Sequence, residues 1–203
     1  MSKIVARLCL AAVLGFLSVL LLERRAVPGS VLEASTALAL DTQALVDGAD
    51  LILEGHVEAA RAVLQPDGTI DTEYDLAVER TLLGEDLPAR RLRLPGGVLP
   101  DGRGMLLPGI EHPPIGARLL WFLSAEGAAG RRMPIGLCQG LWRILPAASG
   151  GSVAVRGGAG VALLDPAGGA SSGGSHLVRP HAELLAEVHA ALAVRAARTG
   201  AGR

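Results

Sequence analysis

The sequence predicts a mainly β domain, a small antiparallel barrel set between an N-terminal apolar signal or anchor helix and a C-terminal helix. Three observations predict it. Residues 51–59 and 70–79 each alternate with period two, and Pro66, Asp67, Gly68 and Thr69 form a turn between them. Further short apolar segments follow with no crossover helix between them, which favours antiparallel pairing over a parallel sheet. Residues 180–198 then carry Leu184, Leu185, Val188, Ala191, Leu192 and Arg195 at helical spacing, with Pro180 opening the helix.

At the N-terminus, Lys3 and Arg7 precede an apolar run over residues 8–22, and Glu23, Arg24 and Arg25 close it. A basic start, an apolar centre and a polar exit are the layout of an export signal. As a helix the run spans about 22 Å, which is short against a hydrocarbon core of roughly 30 Å. Residues 1–29 are therefore expected to act as a signal peptide or membrane anchor, placing the body in the periplasm or outside the cell. An uncleaved segment would make residues 8–22 the membrane contact.

Residues 30–40 read as a spacer, and Asp41 is placed to cap a short helix over residues 42–47 that Gly48 ends. In the strand at 51–59, Glu54, His56 and Glu58 share the face opposite the apolar positions. In the next strand Asp71, Glu73, Asp75 and Glu79 occupy the polar face. Arg91 and Arg93 alternate with Leu92 and Leu94 in a third strand, where they can oppose those acids. Residues 95–114 are rich in Gly and Pro and form a long loop, of the length that is often functional. Residues 118–123 form a continuous apolar strand, residues 136–145 another, and residues 152–155 with 160–164 a last hairpin. The barrel domain thus spans residues 41–165, followed by a Gly/Ser-rich linker over 166–179.

Composition narrows the function. Lys3 is the sole lysine, so past the N-terminal segment every Lys/Arg cation is arginine, on a mildly acidic body. No basic stripe is available for a phosphate backbone, and Tyr74, Trp121, Phe122 and Trp142 are too few to stack bases. No nucleic-acid partner is expected. Cys138 is the one cysteine of the body, so no disulfide framework exists and it reads as a small buried apolar side chain.

Few residues offer chemistry. Glu54, His56 and Glu58 converge on one strand face and form the candidate metal set, although exposed strand faces carry such residues routinely. Glu111 and His112, held in the long loop before Pro113 and Pro114, are the candidate binding residues. Asp71, Glu73, Asp75 and Glu79 lack the loop geometry of a calcium site and read as a solvated face. Ser171, Ser172, Ser175 and His176 have the letters of a nucleophile and base in a flexible linker, without the strained turn that such a serine needs. Residues 157–160 are glycine-rich but lack the Lys-Ser/Thr ending of a phosphate loop. No catalytic residue and no cofactor is assigned.

The order of segments also carries a resemblance. Ala49, Asp50, Ile52, Gly55 and Val57 match an A-D-x-I-x-x-G-x-V opening; Val78, Leu83 and Gly84 match the end of a second strand. Gly116, Leu120, Phe122 and Leu123 resemble a G-E-x-x-L-x-F-L strand, and Gly136, Gln139 and Gly140 a G-x-x-Q-G strand. Together, over residues 41–145, they resemble the netrin-like (TIMP-like) domains and a group of exported bacterial proteins. The resemblance implies an OB-like, five-stranded Greek-key barrel. Leu83 stands where lysine is usual and Ala117 where glutamate is. Metalloprotease inhibition through an N-terminal cysteine does not carry over, since no cysteine is placed for it.

Three functions follow as expectations. The first is a non-enzymatic exported domain that binds a protein or cell-envelope component through the loop 95–114. The second is a metal-dependent hydrolase using Glu54, His56 and His112. The third is a periplasmic assembly or structural factor that docks through its C-terminal helix.

Overall fold

In the computed structural model the described residues open with β1 (Ser35–Leu38) and helix α1 (Thr42–Gly48), then two long strands, β2 (Leu51–Leu64) and β3 (Ile70–Leu83). Next come β4 (Ala89–Pro95), the two-residue strands β5 (Gly97–Val98) and β6 (Gly104–Met105), and β7 (Arg118–Leu123). A 3-10 turn (Leu137–Gly140) leads into β8 (Leu141–Pro146), followed by β9 (Ser152–Arg156), β10 (Val161–Leu164), β11 (Leu177–Pro180) and helix α2 (His181–Gly200). The structure describes residues 35–148, 150–157, 161–164 and 177–201. The export segment expected over 1–29, residues 158–160 of the glycine-rich run and the serines of the linker with His176 lie outside the described residues.

The main sheet has seven strands in the order β11-β9-β8-β7-β2-β3-β4, and every pairing in it is antiparallel. The two long alternating segments pair with each other as the turn at 65–69 predicts. Among the described residues β11 and β4 stand at its edges with no strand pair joining them, so closure of the sheet into the barrel the sequence predicts is not shown. Some local readings change. The expected hairpin over 152–164 does not form: β9 lies between β8 and β11, while β10 pairs in parallel with β1. Residues 35–38, expected within a spacer, and 177–179, expected within a linker, are strands. The strand expected over 136–145 starts as the 3-10 turn, because Gly136 and Leu137 both take positive φ and redirect the backbone.

The sheet curls where β2 is irregular. Its pairing with β3 shifts register at Ile52/Leu53, Glu54/Gly55 and Val57/Ala59, and such bulges bend a strand and add twist. Gly55 is required at one of these shifts, since a Cβ there would lie 2.3 Å from the Ala77 carbonyl oxygen. The segment after β7 reaches across to the far edge: the Arg132 amide donates to the Arg93 carbonyl of β4 at 2.9 Å, and Arg131 Nε contacts Asp71 Oδ1 at 2.7 Å.

Both faces of the middle of the sheet carry a buried core. On one, Ile52, Leu120, Phe122, Trp142, Ile144 and Ala154 pack against Leu45, Val46 and Ala49 at α1 and Leu184, Val188 and Ala191 of α2. On the other, Leu51, Leu53, Val57, Tyr74, Leu76, Leu92, Leu94, Leu119, Trp121 and Leu123 form a second core, capped by Ile110 of the long loop. β7 feeds alternate residues to both cores, which is why it reads as an unbroken apolar run. The apolar stripe of α2 is used inside the domain. Arg195 extends it by donating to the Val46 and Ala49 carbonyls, both at 2.6 Å, at the end of α1. Cys138 is buried at the 3-10 turn, and its thiol is pushed up by desolvation. Beside it, the Gln139 side chain ties down the tail of β1, accepting from the Leu40 amide and donating to the Leu38 carbonyl, each at 2.8 Å.

Candidate functional site

The long loop and the second core meet at one cavity. Period-two alternation in β3 turns Tyr74 and Thr72 to the same face, and the loop folds back over them. That return depends on Gly96 and Gly97, whose φ values are +96° and +138°. A Cβ at Gly97 would lie 2.4 Å from Thr72 Oγ1, and one at Gly96 would lie 2.9 Å from His112 Nε2. Thr72 Oγ1 then donates to the Gly96 carbonyl at 2.7 Å, fastening the loop to the strand.

His112 is the loop residue brought inward. Its Nδ1 lies 2.9 Å from the Tyr74 hydroxyl, and Tyr74 in turn packs against Trp121 with ring centres 6.0 Å apart. Burial pushes the Tyr74 phenol well above its usual range, opposed in smaller part by the neighbouring Thr72 hydroxyl, and burial alone lowers His112 below the ordinary histidine value. The pair is neutral near pH 7. Its Nε2 is buried with no partner among the described residues. If Tyr74 donates, Nε2 is an unused donor; if Tyr74 accepts, Nε2 is an unused acceptor. The cavity beside it has a volume of about 340 Å³ and is lined by Ala60, Ala62, Thr72, Tyr74, His112 and Pro113. Val98 and Leu106 form an apolar lip, 58% and 77% exposed, and Arg61 stands at the edge with its charge held by Glu73 at 2.6 Å.

Glu111 faces away from this cavity and forms an ion pair with Arg143 of β8. The two candidate binding residues are thus separated by one step of backbone: His112 lines the cavity and Glu111 braces the loop against the sheet.

The candidate metal set disperses. Glu54, expected on a solvated face, is fully buried, because that face of β2 lies under α2. Its Oε2 is 3.1 Å from His181 Nε2 and 3.3 Å from Arg80 Nε, and its Oε1 is 2.7 Å from Arg118 Nη2. The Arg118 contact is ionic rather than an aligned hydrogen bond, and the same nitrogen donates to Glu79 Oε2 at 2.6 Å. His56 is exposed and paired through Nδ1 with Glu79 Oε1 at 2.9 Å, while Glu58 is exposed on the far part of the strand. Asp71, also expected on a solvated face, is fully buried beside Arg131. Among the described residues, no three His, Cys, Asp or Glu side chains are grouped to hold a metal ion.

Two features escape a reading of the sequence. Tyr74 as the partner of His112 and His181 as the partner of Glu54 are contacts across long stretches of chain, and neither residue carries a local signal. Compared with known proteins, the chain matches no family model, no curated protein and no solved structure.

Proposed function

We propose that this chain is an exported, non-enzymatic binding domain that engages a protein or cell-envelope component through the loop 95–114. The observation that carries the reading is His112, held by Tyr74 with a buried, unused Nε2 beside a cavity whose lip exposes Val98 and Leu106. A fixed polar group within an apolar rim is the usual composition of a recognition pocket. In this reading the curled sheet is an OB-like barrel related to the netrin-like domains, with the segment after β7 hydrogen-bonded to β4 in place of a closing strand pair. The motif order over residues 41–145 and the Arg132–Arg93 backbone bond support it.

The test is capture from a cell-envelope fraction on the immobilised domain, comparing wild type with His112→Ala and Leu106→Asp. The reading expects a partner retained by wild type and lost by both variants. A partner set unchanged in both overturns it. N-terminal sequencing of the mature protein after fractionation tests export: a start beyond residue 22 supports cleavage, and recovery of uncleaved chain in the soluble cytoplasmic fraction overturns export.

A further inference from the structure

A second cavity lies between the two helices and the β9–β11 edge of the sheet, with a volume of about 440 Å³. Its walls are apolar at Leu40, Leu45, Leu177, Ala191 and Val194, and Trp142 and Arg156 form one side. The Arg156 guanidinium sits over the Trp142 ring, 5.1 Å from its centre.

Arg156 differs from every other arginine among the described residues. The rest are each held by a carboxylate or a backbone carbonyl, as in Arg143–Glu111, Arg198–Asp47 and Arg195 with the Val46 and Ala49 carbonyls. Among the described residues Arg156 has neither. Two acids line this cavity and both are already engaged: Arg179 donates to Glu187 at 2.8 Å and Thr42 at 2.9 Å, while Asp41 accepts from the Ala44 amide at 2.7 Å as the cap of α1. Those bonds draw Glu187 down to about 2, so it stays ionised and committed to Arg179. Trp142 adds an indole N–H that is buried without a partner among the described residues. Desolvation, with Arg179 nearby, disfavours the charge on Arg156, and a bound anion would offset that cost.

We propose that this cavity binds a small monocarboxylate with an aliphatic body, its carboxylate on the Arg156 guanidinium and its chain between α1 and α2. The guanidinium fork matches a carboxylate in plane, and one uncompensated cation matches one negative charge. The walls supply the aliphatic contact. This site is separate from the His112 cavity and does not depend on its role.

The experiment is a titration of the purified domain with octanoate, read by tryptophan fluorescence. Trp142 lines the cavity, whereas Trp121 belongs to the other core. Saturable octanoate binding with no response to octanol supports the proposal, as does a loss of at least about tenfold in affinity in Arg156→Gln. Val194→Asp alters an exposed position, tests the same cavity with little effect on folding, and is expected to weaken binding similarly. No saturable response in wild type, or equal affinity in Arg156→Gln and Val194→Asp, overturns it.

Discussion

Glu54 of β2 and His181, the first residue of α2, meet 3.1 Å apart in the interior, where the helix start lies over the sheet. Arg80 and Arg118 add two guanidinium groups beside a carboxylate with no solvent exposure. The helix N-terminus adds its own favourable potential for a negative charge. Glu54 is therefore the electrostatic link between the sheet and α2.

Removing that carboxylate takes away the shared counter-ion of two guanidinium groups, of which Arg118 alone keeps another acid, Glu79. Glu54→Ala is expected to lose about 3–5 kcal/mol of stability, the range for breaking one partner out of a buried ion pair. Glu58→Ala, on the exposed part of the same strand, is expected to change stability by less than about 0.5 kcal/mol. Urea unfolding of the two variants measures the contrast, and a Glu54→Ala loss below 1 kcal/mol would contradict the network's role.

The burial of Glu54 also marks the limit of period-two reasoning. Alternation correctly separates Leu51, Leu53 and Val57 from Ile52, Glu54 and His56, but it cannot tell a solvated face from one under a helix. Here both faces are cores, so the polar side of β2 runs from buried Glu54 to exposed His56 as α2 stops covering it. β7 gave the opposite signal, because apolar residues on both faces can only be buried. The same logic made the stripe of α2 legible. β10 was misplaced because nearness in sequence suggests a hairpin, whereas its partner β1 comes from the other end of the domain. At the candidate site, loop length and the flanking prolines pointed to His112. Its partner Tyr74 looked like any apolar strand residue, since the loop's return path is set by glycine backbone conformations and tertiary packing.

That return path can be tested at Gly97. Alanine there must adopt φ +138°, which L-residues avoid, and its Cβ would press on Thr72 Oγ1, the hydroxyl that fastens the loop. Gly97→Ala is expected to cost about 1–3 kcal/mol and to raise amide exchange across residues 96–112. Gly102→Ala shares a positive φ, +88°, but meets no atom within 4 Å. Its cost should be smaller, about 1 kcal/mol. Equal effects from the two would show that backbone strain alone, without the Thr72 clash, governs the loop.

The His112–Tyr74 pair predicts a specific pH dependence. Burial holds the folded-state value of His112 below that of the unfolded chain, which is near 6.5. As pH falls through that value, the unfolded state takes up a proton that the folded state refuses, so acidification favours unfolding. The contribution is intact above the unfolded value and is lost progressively down to the folded one. At pH 7.5, His112→Asn is expected to cost about 1–3 kcal/mol, because the Tyr74 hydroxyl loses its buried partner. Between pH 7.5 and 5.5 the variant should lose less stability than wild type, so the gap between them narrows. Glu187 does not interfere, since its value of about 2 keeps it ionised across this window. Urea unfolding of both proteins at the two pH values decides it: a gap that widens on acidification would mean His112 is stabilised in its charged form, and the neutral pair would be wrong.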